Sequence, residues 1–348
     1  MKPVTVIATG MVTGVGLDAP SSCAAIRCAI DNFHETRFVD RGGEWVVGSE
    51  VPLDPPARGR AKIVRMAASA IRECLETLDG TQSHSIPLLL AVAEKDRPGR
   101  FDDLGDSLIE SIAEELNVAF STQSSVIENG PIGGAQAVST AIKLLNETAT
   151  AFVLVAGVDS LMVGRTLAAL DREYRLLTPN NTNGLIPGEG GGAVLLSLSS
   201  DLPTTSEFVL RGVGYGEESA TITSEEPLRG DGLSDAIRDT MSNSGCTYDD
   251  VDYRITDISG EQYAFKEATL AAARTMKTVK EEFDIWHTAD CIGDIGAAIV
   301  PCMIAVAKMA AVREYSKGDG VLFHCANDDE QRAAIIGQYR AMENTDGK

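Results

Sequence analysis

A strand runs directly into a helix in the stretch SSVIENGPIGG, residues 124–134. Its first residues are strand-like, a turn rich in Gly follows, and Val138, Ile142 and Leu145 then recur at helical spacing. The stretch DIWHTADCIGDIG, residues 284–296, repeats this plan and leads into a second apolar helix. An apolar strand follows each helix. Two copies of strand, small-residue turn and buried helix predict a chain built from two similar halves.

Outside this repeat, apolar runs of strand length alternate with helical stretches, which is typical of an α/β protein. Strands are predicted at residues 5–9, 87–92, 152–155 and 321–323, and helices at residues 21–30, 61–78 and 108–116. The polar run DLPTT, residues 201–205, is the linker-like segment near the midpoint. We therefore expect an N-terminal half of residues 1–200 and a C-terminal half of residues 201–348.

A Gly-rich turn between a strand and a helix has two interpretations. The turn can present a nucleophile at the helix N-terminus, where the positive end of the helix dipole stabilises an anion. Alternatively, the glycines let a helix pack closely on a sheet. The sequence leaves both interpretations open.

Composition excludes several classes of function. The 348 residues include 51 acidic and 30 basic side chains, which gives a net charge of −21. Such a surface repels nucleic acid and anionic membranes, and no basic cluster interrupts it. No apolar run approaches the ~20 residues that a membrane-spanning helix needs.

The cysteines and the N-terminus predict a cytoplasmic protein. The seven cysteines are scattered and show no metal-ligand spacing, so we expect neither a disulfide framework nor a metal site. The chain passes from Met1 straight into a strand-like run without the pattern of a secretory signal.

The most specific stretch is PGEGGGAVLL, residues 187–196. It resembles the G-E-G-A-G-x-x-x-L segment of the β-ketoacyl-ACP synthases of the thiolase superfamily. Three further segments resemble motifs of these enzymes in the same order: ATGMVTGVG at 8–16, VAGVDS at 155–160 and NGLI at 183–186. The resemblance implies a thiolase fold, with five layers α-β-α-β-α and two duplicated halves. It also implies a homodimer or heterodimer paired through the strand from Ser124 to Glu128.

The same resemblance implies where a Cys-His-His triad would lie. The nucleophile position falls on Pro131, and the two histidine positions fall on Ser259 and Asp290. The position of the supporting lysine is Ile285, and the G-F-G-G-x-N loop becomes FHCAN at 323–327. Proline has no nucleophilic side chain, so the family's condensation chemistry is not expected. We expect the three triad positions to converge where the two halves meet.

Other polar side chains are candidates for a site in the same pocket: Glu189, Glu261, His287, Cys291 and Asp294. Carboxyl groups with different pKa values can act as acid and base. The alternative for each is structural. Glu189 is expected to bind backbone amides, and Cys291 to fill an apolar turn. Asp290 and Asp294 are expected to cap a helix, and His287 to be a hydrogen-bonded strand residue.

We interpret the chain as a catalytically silent β-ketoacyl synthase-like protein that acts through protein binding, as a partner or accessory subunit. Ketosynthase-like chains of this kind also occur beside type VI secretion effector genes, so the resemblance implies an accessory role there. Two alternatives stay open: an acyltransferase of the 3-oxoacyl-ACP synthase type with a different nucleophile, and a non-catalytic binder of an acyl ligand. The net charge of −21 disfavours an acidic carrier protein as partner, and we expect no cofactor.

Overall fold

The computed structural model describes residues 1–78, 85–198 and 206–341. Within these ranges the strands are β1 Val4–Val12, β2 His34–Val39, β3 Trp45–Gly48, β4 Leu88–Val92, β5 Ser125–Glu128, β6 Val153–Ser160, β7 Glu189–Leu198, β8 Ser206–Glu217, β9 Tyr253–Thr256, β10 Ile285–His287, β11 Gly320–Ala326 and β12 Gln331–Ala341. The helices are α1 Ala19–Arg27, α2 Gly59–Leu75, α3 Asp106–Leu116, α4 Gly130–Glu147, α5 Gly164–Arg172, α6 Asp231–Ser244, α7 Gln262–Thr275, α8 Ala289–Ile292 and α9 Ile299–Val312. A 3₁₀ turn, Gly296–Ala298, leads directly into α9.

A ten-stranded sheet has the strand order β10-β9-β11-β12-β8-β1-β7-β6-β4-β5. From its centre outward the two halves follow one pattern, β1-β7-β6-β4-β5 and β8-β12-β11-β9-β10. In each half the first two pairings are antiparallel and the last two are parallel. The halves join where Val4 and Thr5 of β1 pair with β8. The internal repeat therefore corresponds to a repeated topology.

The helices add three layers to the two halves of the sheet. α2 and α3 cover the outer face of the β1 half, and α6 and α7 cover the outer face of the β8 half. α4 and α9 lie between the two halves in the largest hydrophobic core. α9 is buried almost all round, which is why its sequence is apolar on every side. The expected order α-β-α-β-α is confirmed.

Glycine lets the central helices approach each other and the sheet. A Cβ on Gly134 of α4 would lie 2.7 Å from the Cβ of Val300 in α9. A Cβ on Gly157 of β6 would lie 2.2 Å from the carbonyl oxygen of Ala297. Both distances are shorter than side chains tolerate, so close packing explains these two glycines.

The predicted elements are present with different ends. The strand predicted to end at residue 155 continues to Ser160, and the helix predicted from residue 61 begins at Gly59. The hairpin of β2 and β3 was not predicted, because it is short and largely exposed. The linker at residues 201–205 and the boundary after residue 200 lie outside the described residues and stay predictions. In the described ranges, no helix combines the length and apolar character needed to span a membrane.

Candidate functional site

A cavity of about 180 Å³ lies between the two halves, where equivalent strands of both halves end. Its walls include Glu94, which follows β4, and Asp257, which follows β9. Pro131, at the start of α4, and Ile299, at the start of α9, also line it. Ligand sites in α/β proteins commonly lie beyond the carboxyl ends of strands, so this cavity is the candidate site.

The N-terminus of α4 is closed by a residue from the other half. The Ile132 N–H donates a hydrogen bond to Asn327 Oδ1 at 3.2 Å, and Asn327 follows β11. Pro131 occupies the first turn of the helix, where its missing N–H costs no hydrogen bond. Gly130 precedes it with φ of +53°, and a Cβ there would meet the Glu94 carboxylate. The helix end thus offers the cavity neither a nucleophile nor an open ring of donors.

In turn, a residue of the N-terminal half binds the 3₁₀ turn that leads into α9. Asp159, near the end of β6, accepts a hydrogen bond from the Ala297 N–H at 3.0 Å and one from Arg97 Nη1 at 2.8 Å. A second contact joins the other oxygen of Asp159 to Arg97 Nη2. The Asp159 side chain is 3% exposed. Arg97 forms ion pairs with both Asp159 and Glu94, so its guanidinium is placed between two carboxylates. Arg97 lines the candidate site, and the ion pair with the buried Asp159 fixes its guanidinium there.

Four carboxyl groups that line the cavity have raised pKa values. Burial is the main cause for each: it raises the pKa of Glu94 and of Asp257 to about 7, that of Asp294 to about 6, and that of Glu267 above its usual range. Arg97 partly opposes the effect at Glu94. The Ala326 N–H donates to Asp257 at 2.8 Å and partly opposes it there. Glu94, Asp257 and Asp294 can exchange protons near neutral pH, which is the range suited to acid and base roles.

Arg175 ties the two halves together at the mouth of the cavity. Its guanidinium donates to both oxygens of Glu261, at 2.9 and 2.7 Å, and to both oxygens of Asp328, at 2.6 and 2.9 Å. The two carboxylates raise the pKa of the Arg175 guanidinium against the lowering effect of burial, so it stays charged. Such paired, planar contacts fix geometry as well as charge.

Two of the three positions implied for the triad lie together. Pro131 and Ser259 both line the cavity. Asp290 does not line it, because it sits on the short helix α8 with its side chain 74% exposed. Asp294, four residues later, faces the cavity instead, and the Ser259 hydroxyl donates to Asp294 Oδ2 at 3.3 Å. The structure thus brings Pro131, Ser259 and Asp294 together at the cavity and leaves Asp290 outside it.

The other candidate side chains are distributed over several places. Glu261 and Asp294 line the cavity, and Asp294 Oδ1 also accepts the Gly296 N–H at 3.0 Å, as a helix cap does. Glu189 lies apart, in a second cavity, where it accepts hydrogen bonds from the Val51 N–H at 2.8 Å and the Ser160 hydroxyl at 2.8 Å. Its backbone contact agrees with the structural interpretation.

His287 and Cys291 lie outside the cavity. Among the described residues, the Nε2 atom of His287 is buried without a hydrogen-bond partner. Its Nδ1 lies 3.8 Å from Asp290 Oδ2, which is longer than a hydrogen bond. Cys291 is buried, and burial raises the pKa of its thiol to about 11. Burial also lowers the pKa of His324 to about 3, so that ring is neutral at pH 7. In the part of the chain that the structure describes, neither a cysteine nor a histidine lines the cavity.

A metal site is not formed by the described residues, which contain no group of three or more His, Cys, Asp or Glu placed to hold an ion. The carboxyl groups of the cavity bind arginines and backbone amides instead. The arrangement is suited to holding the two halves in register and to moving protons, and it lacks an activated nucleophile.

Sequence reasoning missed Glu94, Arg97, Asp257 and Arg175 as members of the site. A signal for two of them existed, because Glu94 and Asp257 follow equivalent strands of the repeat. Aligning the two halves strand by strand would have placed both at one edge of the sheet. Arg97 and Arg175 lie in loops whose course the sequence pattern does not determine.

No protein-family model matches the chain, and no curated protein matches it. Solved structures do match over nearly the whole length. A ketosynthase (ApeO) in complex with its chain length factor (ApeC) from Xenorhabdus doucetiae matches with a TM-score of 0.78 at 13% identity, covering 97% of this chain and 98% of that chain. The ishigamide ketosynthase/chain length factor matches with a TM-score of 0.77 at 17% identity, covering 97% and 99%. A β-ketoacyl synthase from Burkholderia phymatum matches with a TM-score of 0.75 at 14% identity, covering 97% and 99%.

These matches extend over 97% of this chain, so they include both halves of the fold. At 12–17% identity they bear on the fold and leave the chemistry to the site itself. The resemblance predicted from the sequence motifs is confirmed at this level: the chain has the thiolase fold of the β-ketoacyl synthases and chain length factors.

Proposed function

We propose that this chain is a catalytically silent thiolase-fold protein that acts by binding another protein, as one subunit of a dimer. Similar solved structures include ketosynthases in complex with their chain length factors, in which two thiolase-fold chains assemble. That precedent supports a pairing role for this chain as well. The proposal places its function at a protein surface and not in the cavity.

The N-terminus of α4 is the main observation that supports the proposed lack of catalytic activity. Acyl transfer on this fold needs a nucleophile at that helix end and hydrogen-bond donors for the developing oxyanion. Here Pro131 stands at that position, and the Ile132 N–H of the same helix turn donates to Asn327. Ser259 is the remaining hydroxyl of the triad positions, and its partner Asp294 is half-buried and already accepts the Gly296 N–H.

The charge of the cavity also opposes acyl transfer. Carboxyl groups outnumber the two arginines, Arg97 and Arg175, along its walls. A phosphorylated carrier arm or a malonyl group is anionic, and the chain as a whole carries −21. Like charges repel such a donor both at long range and at the cavity mouth.

The edge strand β5 is the surface we propose for pairing. β5 is the last strand of the ten-stranded sheet and pairs with β4 on one side. An edge strand presents backbone donors and acceptors that a second strand can bind. The residues Ser125–Glu128 are all half-buried, so they give this edge a mixed polar and apolar character suited to a subunit interface.

Incubation with acyl donors tests the proposed silence. The purified protein is mixed with acetyl-CoA and malonyl-CoA, and intact-mass spectrometry and release of carbon dioxide are followed. We expect neither a covalent adduct nor decarboxylation above the level without protein. An acyl adduct that persists in Asn180→Ala, which alters an exposed side chain away from the cavity, but disappears in Ser259→Ala would overturn the proposal.

Sedimentation tests the proposed pairing surface. We expect a dimer, formed by this chain alone or with a captured thiolase-fold partner. Ser125→Lys places a charge in the edge strand and should weaken the dimer by about tenfold or more in Kd. Gln123→Lys adds the same charge at an exposed position just before the strand and should leave the dimer intact. A monomer under all conditions, or equal effects of both variants, contradicts the proposal.

The partner and the compartment are part of the proposal. The seven cysteines are free, and six of them are buried, which suits a subunit that works in the reducing cytoplasm. Affinity purification from the native organism separates two partners: a second thiolase-fold chain, and a type VI secretion component, for which this chain would be an accessory subunit. Recovery of neither in the purified complex argues against a heterodimer.

A further inference from the structure

A second cavity, of about 590 Å³, lies in the N-terminal half. Its walls come from β2, from residues 50–59, from the first turns of α2 and from residues 160–164 at the end of β6 and just beyond it. Cavities of ~300–1,000 Å³ are the usual size for small-molecule sites. The second cavity is separate from the cavity between the halves. Leu161 lines the cavity between the halves, whereas its neighbours Ser160 and Met162 line the second cavity.

The second cavity is basic in an acidic protein. Arg37, Arg58 and Lys62 line it, against the carboxylates of Glu50 and Glu189. The permanent cations therefore outnumber the carboxylates, although the chain as a whole carries −21. A local excess of positive charge in a concave, partly apolar setting attracts anions that the rest of the surface repels.

Not all of these charges are neutralised within the protein. Lys62 forms an ion pair with the buried carboxylate of Glu189, so these two charges neutralise each other. Arg37 lies at 3.9 Å from Glu50, a long contact that His34 shares at 3.7 Å. Arg58 forms no hydrogen bond or ion pair with the described residues, so its guanidinium is available to a ligand. Of the cations, Arg58 and Arg37 can therefore bind an anionic group.

The backbone adds donors at the same place. Arg58 is the cap residue of α2, its side chain makes no capping hydrogen bond, and the first turn of the helix has no acidic residue. Gly59, the first residue of α2, lines the cavity beside it. The first N–H groups of a helix lack partners within the helix and favour an anion. The first N–H groups of α2 therefore add to the attraction that Arg37 and Arg58 exert on an anion.

The rest of the wall is apolar. Phe38, Leu53, Ile63, Phe101 and Met162 line the cavity. Ile63 is 2% exposed and Met162 5% exposed, so both belong to the packed interior of the protein. Aromatic and aliphatic side chains around a few charged groups match a ligand with one polar end and an apolar body.

We propose that this cavity binds a small amphipathic anion, in which a carboxylate or phosphate is attached to an apolar body. The anionic end contacts Arg58, Arg37 and the start of α2, and the apolar body packs against Phe38, Phe101 and Met162. Glu189, held by Lys62, Val51 and Ser160, forms the base of the cavity. The site is independent of the pairing surface on β5.

Direct binding measurements with four probes test the proposal. Octanoate and hexyl phosphate carry the two anionic groups, octanol is the neutral counterpart, and octylammonium is the cationic one. Isothermal titration calorimetry is expected to show at least one of the two anions binding about tenfold or more tightly than octanol and octylammonium. The better anion identifies the headgroup. Equal affinities for all four probes would overturn the proposal.

Paired variants locate the binding. Arg58→Glu should weaken binding of the better anion about tenfold or more and leave octanol unchanged. Arg72→Glu reverses the same charge at an exposed position on the same helix, away from the cavity, and should have little effect. Ala57→Trp narrows the cavity and should reduce binding of every probe, with the thermal unfolding transition confirming that the variant is folded. Equal effects of the two arginine variants, or full binding in Ala57→Trp, contradict the assignment.

Discussion

The two halves of the molecule close each other's central helix, but with different chemistry. Asp159, near the end of β6, accepts the Ala297 N–H of the 3₁₀ turn that leads into α9, and Asn327, after the equivalent strand β11, accepts the Ile132 N–H in the first turn of α4. The N-terminal half uses a carboxylate whose charge is balanced by Arg97. The C-terminal half uses a neutral amide. The same position in the repeat thus serves the same structural purpose with and without a buried charge.

This difference shows what the repeated topology fixes. It fixes where a polar side chain meets the opposite helix, because equivalent strands end at equivalent helix N-termini. It does not fix whether that side chain is charged, since the charge depends on a loop residue such as Arg97. The cost of removing each cap should therefore differ between the halves.

Asp159→Ala is expected to have the largest effect. It leaves the Arg97 guanidinium buried without its main partner and the Ala297 N–H without an acceptor. Breaking a buried ion pair in this way costs about 3–5 kcal/mol of the free energy of unfolding. Urea denaturation followed by circular dichroism measures the loss.

An exposed ion pair provides the matched control for that variant. Asp235 contacts Arg238 at 2.7 Å, and both side chains are more than half exposed. Asp235→Ala should cost about 1 kcal/mol or less. The double variant Asp159→Ala/Arg97→Met should recover part of the loss, since it removes the unpaired charge. An Asp159→Ala cost no greater than that of Asp235→Ala would show that the buried pair is unimportant.

The fold was predictable because it depends on repeated local patterns. The alternation of apolar strands and helices, and the two strand-turn-helix copies, are visible over many residues at once. The ends of the elements were less accurate, as for β6, where buried small residues carry the strand on to Ser160. The β2–β3 hairpin is short and buries only a few residues, among them Thr36 and Val46, so it leaves little periodic pattern in the sequence.

The site was predictable only in part. Pro131 and Ser259 both line the cavity, and each lies shortly after the end of a strand, β5 and β9 respectively. Asp290 lies outside the cavity with its side chain 74% exposed, whereas Asp294 lines it. Gly293, at φ of +70°, ends α8 there and shifts Asp294 into the cavity. A helix end at one glycine of positive φ changes the direction of the chain without leaving a periodic signal in the sequence.

Asp257→Asn tests one of the two half-buried carboxyl groups that follow equivalent strands, Asp257 and Glu94. Burial raises the pKa of both to about 7, and Glu94 in addition forms an ion pair with Arg97. In the native protein Asp257 binds its proton more tightly than in the unfolded chain. Its contribution to stability is therefore complete below pH ~4 and is lost as pH rises through about 7.

The expected result is a pH-dependent gain. Asp257→Asn keeps an oxygen to accept the Ala326 N–H and removes the titrating group. Between pH 5 and pH 8 the variant should gain about 2 kcal/mol of unfolding free energy relative to the wild type. Asp290→Asn removes the same charge from an exposed side chain. Its unfolding free energy, plotted against pH, should run parallel to that of the wild type. A parallel Asp257→Asn curve would mean that Asp257 is not the buried acid we infer.

Asn327→Ala is expected to have the smallest effect of the three, and it completes the comparison of the two caps. It removes the acceptor of the Ile132 N–H but leaves no charge unpaired, so the cost is that of a helix cap, about 1 kcal/mol. Asn180→Ala, at an exposed residue outside the caps, controls for the substitution itself. If Asn327→Ala were as costly as Asp159→Ala, the cap hydrogen bond and not the buried ion pair would dominate both ends. A smaller cost would instead mean that the two halves share a geometry while the N-terminal half alone depends on a charge to maintain it.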